Sequence, residues 1–348
     1  DVDGDGRGDV VGVFSDSDQL QLALFTGPSL DRARGVTLPP ATDVAVAVLD
    51  GDADGHLEVY LASVIGSALT MRAFDHRLQL RWETAAAAAG DGAASIPEAG
   101  PLLADLGGAR ALVVGSGADV LAFDAVSGCV TWQLSSSTAA FSGSVVAGTA
   151  VGDVVHGGAD EIAVAFSRPG PPSSGALALL DASGNVVWLQ ETTQPAAGSP
   201  VLVAVPGQGH RVAVVAAPDE ETAASALLVV EASTGAVLTT TPLAFQNVKG
   251  PAAGDVDGDG VPELAVVAAS PVGCVTCFGE AQVIALALEG SPVWSVADWG
   301  TPAGPPVMID IDGDGRLDVL APCHFLDRAL VTCRAGDDGE DLASGRAA

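Results

Sequence analysis

A nine-residue acidic pattern constrains this chain more than any other feature. Asp1-Val2-Asp3-Gly4-Asp5-Gly6-Arg7-Gly8-Asp9 returns as Asp50-Gly51-Asp52-Ala53-Asp54-Gly55-His56-Leu57-Glu58. It returns again as Asp255-Val256-Asp257-Gly258-Asp259-Gly260-Val261-Pro262-Glu263 and Asp310-Ile311-Asp312-Gly313-Asp314-Gly315-Arg316-Leu317-Asp318. All four fit D-x-D-x-D-G-x-x-[DE], and each leads into a strand-like run such as VVGVF, VYLAS, LAVVAA or VLAPC. Weakened copies fill the interval between the second and third. One begins near Asp105, one keeps Asp153 and Glu161 at its outer positions, and one near Ala204 has lost every acid. Starts near 1, 50, 105, 153, 204, 255 and 310 define seven repeats, with the period of roughly 50 residues that marks a propeller or solenoid.

A second signature lies inside the repeat. Residues 71–82, 121–132, 177–188, 228–238 and 284–294 each read as strand, acidic-Gly turn, strand, and four of them end in Trp. Ser183-Gly184-Asn185 and Thr234-Gly235 supply residues able to take positive φ in the turns. The recurring Trp is expected to pack rather than to hold a ligand. Each unit then contains four short strands: one before the Asp loop, one after it, and two flanking the turn. This predicts an all-β fold, a seven-bladed β-propeller of four-stranded blades with calcium-binding Asp loops. The chain is expected to be one propeller domain, with repeats at about 1–42, 43–98, 99–141, 142–197, 198–248, 249–301 and 302–348. The first repeat lacks the strand before its loop and the last ends in weak strand material, so either the C-terminal tail completes the ring or, the favoured expectation, the chain is a portion of a longer protein with residues before Asp1. Helical periodicity is nearly absent; the Ala run 85–89 is its best candidate, and the flanking sequence favours a loop.

The loops point to a hard cation. Carboxylates at alternate positions surround one point, Gly at position 6 permits the reversal, and position 7 offers a backbone carbonyl. An acid at position 9 completes an oxygen cage that suits calcium better than the smaller magnesium. The expected ligands are Asp1, Asp3, Asp5, Arg7 (backbone) and Asp9; Asp50, Asp52, Asp54, His56 (backbone) and Glu58; Asp255, Asp257, Asp259, Val261 (backbone) and Glu263; and Asp310, Asp312, Asp314, Arg316 (backbone) and Asp318. About four Ca²⁺ ions are expected. An EF-hand would need Glu at position 12, where Gly12, Leu61, Val266 and Ala321 stand, and a helix rather than a strand after the loop. Arg7-Gly8-Asp9 spells an adhesive tripeptide, yet only its acid is shared with the other loops, and Asp9 is expected to face the ion.

Composition narrows the partners. The formal net charge is −30, with one Lys (Lys249) and scattered Arg, which argues against nucleic acid and for cations. Apolar residues make up 48% and charged residues 17%, so the chain is expected to fold, and its apolar runs are too short to span a bilayer. Cys323 and Cys333 flank an apparent hairpin in which antiparallel pairing would set them face to face, and Cys274 and Cys277 form a CxxC in a loop-like stretch. Two disulfides are expected, with Cys129 a buried thiol, implying an oxidising compartment.

The D-x-D-G-D-G-x-x-[DE] loop followed by an apolar strand resembles the FG-GAP and VCBS-type repeats of integrin α-subunit propellers, related bacterial secreted proteins and seven-bladed fungal lectins. That resemblance implies calcium between the first two strands of a blade. It also implies a non-enzymatic, extracellular or cell-surface module that binds protein or glycan, or assembles with other domains, through loops on the face opposite the calcium loops. Candidate loops are 84–100, 167–176, 217–225 and the stretch around Cys274 and Cys277. The acidic-Gly-Trp hairpins also resemble quinone-dehydrogenase propeller repeats. Alternatives are therefore a structural spacer in a large surface protein, or an enzyme such as a calcium-dependent polysaccharide lyase or quinone-dependent dehydrogenase. No set of catalytic residues stands out: His56, His156 and His210 lie in intact or degenerate loops, His76 in a turn, and His324 beside Cys323.

Overall fold

A computed structural model describes the chain apart from residues 17–18, 28–30, 88–94, 98–99, 136–141, 156, 169, 171, 218–223, 272–279, 326–327, 337–338, 340 and 347–348. Its described residues form strands and turns without a helix, in seven antiparallel sheets. None offers a helix long and apolar enough to cross a membrane. The chain divides into two compact units. One comprises Asp1–Val151, Gly158–Glu161 and Asp181–Asn185; the other comprises Gly152–Gly157, Ile162–Leu180 and Val186–Ala348.

The order of strands within a sheet follows the chain. In the second sheet Asp43–Leu49, Glu58–Ile65, Ala68–Phe74 and Leu80–Ala87 pair as neighbours, with the acidic loop joining the first two. The same order holds for the sheets spanning 102–135, 145–192, 201–243 and 245–299. In the seventh sheet the first strand is broken into Thr301–Pro302 and Val307–Ile309, both paired with Asp318–Phe325, and Asp341–Arg346 forms its last strand. The first sheet has three strands, Val10–Asp16, Gln19–Thr26 and Asp31–Leu38, all after its loop. Residues 85–87 of the Ala run continue the strand Leu80–Ala87 rather than a loop.

Why the middle strands read as continuous apolar runs is plain from their packing. In the first unit, Val59 and Leu61 face Leu20, Leu22 and Leu24 of the first sheet. The alternate residues Tyr60, Ala62 and Val64 face Leu112, Val114, Leu121 and Phe123 of the third. Both sides of the strand are covered, so period-two alternation gives way to VYLASV. The second unit repeats this: Leu264, Val266 and Ala268 pack with Ala213, Val215, Leu227 and Val229, while Ala265, Val267 and Ala269 pack with Val319, Ala321 and Cys323. Each buried Leu or Val contributes about 1.5–3 kcal/mol. Outer strands are half-exposed and carry the polar residues, as in Val130–Ser135.

The acidic-Gly turns contain a device that the sequence hides. In all seven sheets the register of the last two strands slips by one residue beside the turn, as between Ala73 and Phe74, Ala122 and Phe123, or Leu179 and Leu180. One residue of the outer strand is therefore unpaired; in the second sheet it is Arg81, since Leu80 opposes Phe74 and Trp82 opposes Ala73.

The recurring Trp residues do pack. The indole N–H of Trp82 donates to the Ala125 carbonyl at 3.1 Å, Trp132 to Ala182 at 3.1 Å, Trp188 to Ala232 at 2.7 Å and Trp294 to Gly336 at 2.7 Å. Each ring covers a turn glycine of the following sheet, Gly128, Gly184, Gly235 or Gly339, all at positive φ. A Cβ at Gly235 would lie 2.7 Å from Trp188 ring atoms. Only Gly satisfies both the backbone and the ring.

The cysteines depart from expectation. Cys323 opposes Leu330 and Cys333 opposes Leu320, an offset of three positions that sends the two side chains to opposite faces of the sheet. Both are buried and neither is in a disulfide, so the expected Cys323–Cys333 bridge does not form. Cys129 is exposed rather than buried. Cys274 and Cys277 lie outside the described residues.

Candidate metal centre

Each acidic loop is held open by its own backbone. In the first, Asp1 Oδ1 accepts from the N–H of Gly4 at 2.7 Å and of Asp5 at 3.0 Å, and its Oδ2 accepts from Gly6 N–H at 2.7 Å. The third and fourth loops repeat this: Asp255 takes Gly258 and Gly260, and Asp310 takes Gly313 and Gly315. The glycines at positions 4 and 6 of the loops have φ between 79° and 90°, a region that favours Gly; at position 4 of the second loop Ala53 adopts φ 61°. The position-5 carboxylates of Asp5, Asp54, Asp259 and Asp314 accept from the N–H of Arg7, His56, Val261 and Arg316 at 2.7–2.9 Å.

Position 9 closes the loop. Asp9, Glu58, Glu263 and Asp318 accept from the N–H of position 2, namely Val2, Gly51, Val256 and Ile311, at 2.8–2.9 Å. Asp9 also accepts from Asp3 N–H, so the acid of the Arg7-Gly8-Asp9 tripeptide is tied to its own loop.

Several of the carboxylates so held also converge. Ligand atoms of Asp1, Asp3 and Asp5 lie within 4.8 Å of one another, as do those of Asp50, Asp52 and Glu58, of Asp255, Asp257 and Asp259, and of Asp310, Asp312 and Asp318. Asp9, Asp54, Glu263 and Asp314 are not part of these clusters. Asp50 Oδ1, in the second cluster, is buried without a hydrogen-bond partner. A buried orphan oxygen amid an all-oxygen donor set fits a hard cation. Of the degenerate loops, Asp105 bonds with Asp160: its N–H donates to the Asp160 carboxylate at 2.7 Å and its carbonyl accepts from Asp160 N–H at 2.7 Å. His156 lies outside the described residues.

The electrostatics differ among the loops. Burial would raise the Asp9 carboxyl, but the N–H groups of Val2, Asp3 and Gly27 outweigh it and hold its pKa below the ordinary value. Burial pushes Glu263 up; Val256 N–H opposes this, and Asp257, Asp259 and Asp255 add to it. In the second loop burial likewise raises Glu58. Asp52 sits below the usual range, because the hydrogen bond and charge of Arg81 overcome its burial. Arg81 Nη1 stands 2.7 Å from Asp52 Oδ2 and 3.1 Å from Glu58 Oε1. Nothing in the motif flags Arg81, which is 23 residues beyond Glu58 and reaches the loop only through the sheet register.

Other expected site residues are dispersed. His56 and His76 stack at 5.1 Å between ring centroids on the surface. Of the candidate binding loops, 272–279 and most of 217–225 lie outside the described residues, as do parts of 84–100 and 167–176.

Seven antiparallel sheets in chain order, most with an acidic or degenerate loop between their first two strands, define a seven-bladed, all-β propeller. Solved propellers share this fold. The chain is similar to rhamnogalacturonan lyase YesW (TM-score 0.62, 16% identity, 99% of this chain and 63% of that chain). It is similar to the quinohemoprotein alcohol dehydrogenase from Comamonas testosteroni (TM-score 0.61, 13% identity, 96% and 65%). It is also similar to the Dos1 propeller (TM-score 0.55, 12% identity, 97% and 84%). The chain spans less than two thirds of the lyase and dehydrogenase structures. At these identities the likeness is one of fold. No protein-family model and no curated protein matches the sequence.

Proposed function

We propose that this chain is a calcium-stabilised propeller of the FG-GAP and VCBS repeat type that works outside the cell as a binding or assembly module rather than as an enzyme. The observation that supports it is the convergence of three carboxylates in each of four loops whose aspartates are already oriented by backbone N–H groups. A bound Ca²⁺ would supply charge neutralisation and, in the second, sixth and seventh sheets, tie together the two strands that flank the loop. The chain's own residues do the rest. Position 1 bonds back to positions 4 and 6 in the first, third and fourth loops, position 9 fastens position 2 in all four, and the stiffened loops hold one end of the four blades that carry them. Connections between the second and third strands emerge at the other end of the blade, where protein or glycan ligands would be taken.

Calcium removal tests this reading. Adding EDTA is expected to lower the melting temperature, because an ion that binds only the folded state stabilises it, and excess CaCl₂ should restore it. An unchanged melting temperature would remove calcium from the proposal. Glycan-array and protein-binding screens test the module. Lyase and alcohol dehydrogenase assays test the enzymatic alternative offered by two of the similar folds.

A further inference from the structure

We infer that the second acidic loop is closed to calcium by the chain's own Arg81, whose guanidinium stands where an ion would sit; this rests on the calcium reading of the other loops. Arg81 Nη1 is 2.7 Å from Asp52 Oδ2 and 3.1 Å from Glu58 Oε1, two of the three residues whose ligand atoms cluster in that loop. Calcium takes its oxygens at about 2.3–2.6 Å, so an ion bridging these carboxylates and the Nη1 atom would compete for the same space. The like charges would also repel.

How Arg81 gets there is a property of the fold. It is the unpaired residue of the bulge beside the turn, and a bulge re-aims the side chain it carries. The turn and the acidic loop are at the same end of the blade, since strand direction reverses at each connection. At the same bulge position the sixth sheet has Val293 and the seventh has Leu342, residue types without charge.

The rest of the loop differs in ways that agree. Gly51 stands at position 2, where the other loops have Val2, Val256 and Ile311. A Cβ there would collide with Tyr60, whose hydroxyl lies 3.5 Å from Glu58 Oε2. A second guanidinium, that of Arg110, donates to the Asp50 carbonyl. Asp50 Oδ1 is left without a partner, whereas Asp1, Asp255 and Asp310 each give Oδ1 to the N–H of position 4. One guanidinium nitrogen does not satisfy every oxygen of a cage built for six to eight ligands, so the loop regains an ion when Arg81 is removed.

Equilibrium dialysis against CaCl₂ tests this on the whole chain, with circular dichroism to check folding. R81Q is expected to bind one more calcium ion than the parent protein, and R81K to bind the same number as the parent. In the parent background D52N should leave the calcium count unchanged, while D312N in the fourth loop should lower it by one. Should R81Q fail to fold, the D52N and D312N pair still decides. Equal counts for R81Q and the parent, or loss of one ion in D52N, would overturn the role of Arg81 while leaving calcium in the loops. No calcium bound by any variant would overturn both readings.

Discussion

At the scale of single residues, side-chain surroundings set what each group does. Cys323 is buried, and that burial pushes its thiol up to about 11, with Asp298 adding to the rise, whereas Cys129 is exposed. A thiol reagent at neutral pH is expected to label Cys129 quickly and to reach Cys323 and Cys333 only after denaturation. Fast labelling of Cys323 in the folded protein would contradict this packing. Asp181 shows the opposite balance. Burial raises its carboxyl, but the side chain and N–H of Asn185 and the N–H of Ser183 outweigh it, so its pKa lies below the ordinary value. A depressed folded pKa contributes stability above the unfolded value of about 3.9 and loses it as pH falls through the folded one. Asp181→Ala is therefore expected to cost about 1 kcal/mol at pH 7, and the gap to the parent should close in acid. Urea midpoints at several pH values would read this.

At the scale of elements, the hairpin with its bulge, glycine and Trp is the repeating joint. Trp188→Phe keeps most of the apolar area but leaves the Ala232 carbonyl without the indole N–H, an expected loss of about 1–2 kcal/mol. Gly235→Ala puts a Cβ against the Trp188 ring at φ 71°, and is expected to cost about 1–3 kcal/mol. Denaturant midpoints measure both; equal stability of Gly235→Ala and the parent would show that the ring is not held there. The hairpins were legible because turn chemistry is local: Ser183-Gly184-Asn185 announces its own reversal. The bulge was not, because one unpaired residue leaves no mark in a run such as LRW. The cysteine pairing failed for the same reason, since register decides which face a side chain takes and composition does not.

At the scale of the whole molecule, charge dominates. The formal charge is −30, and ions in all four intact loops would bring it to about −22, or to about −24 with the second loop closed by Arg81. Self-repulsion of that size makes the calcium-free protein sensitive to screening. NaCl is expected to raise the melting temperature in EDTA and to raise it much less in saturating calcium. An equal gain in both conditions would mean that the loops do not concentrate the repulsion.

By itself the sequence determined the class of fold and the frame of the loops. A period near 50 residues, Gly at every left-handed loop position but that of Ala53, and apolar runs without alternation all depend on contacts within one repeat or on burial of both strand faces. Tertiary structure alone decided which carboxylates converge and what faces them. Asp50, Asp52 and Glu58 meet Arg81 because a one-residue slip between two strands turns that side chain toward them. Charge acts through space at a few ångströms, and the partners it joins are set by the register of the sheet rather than by their distance along the chain.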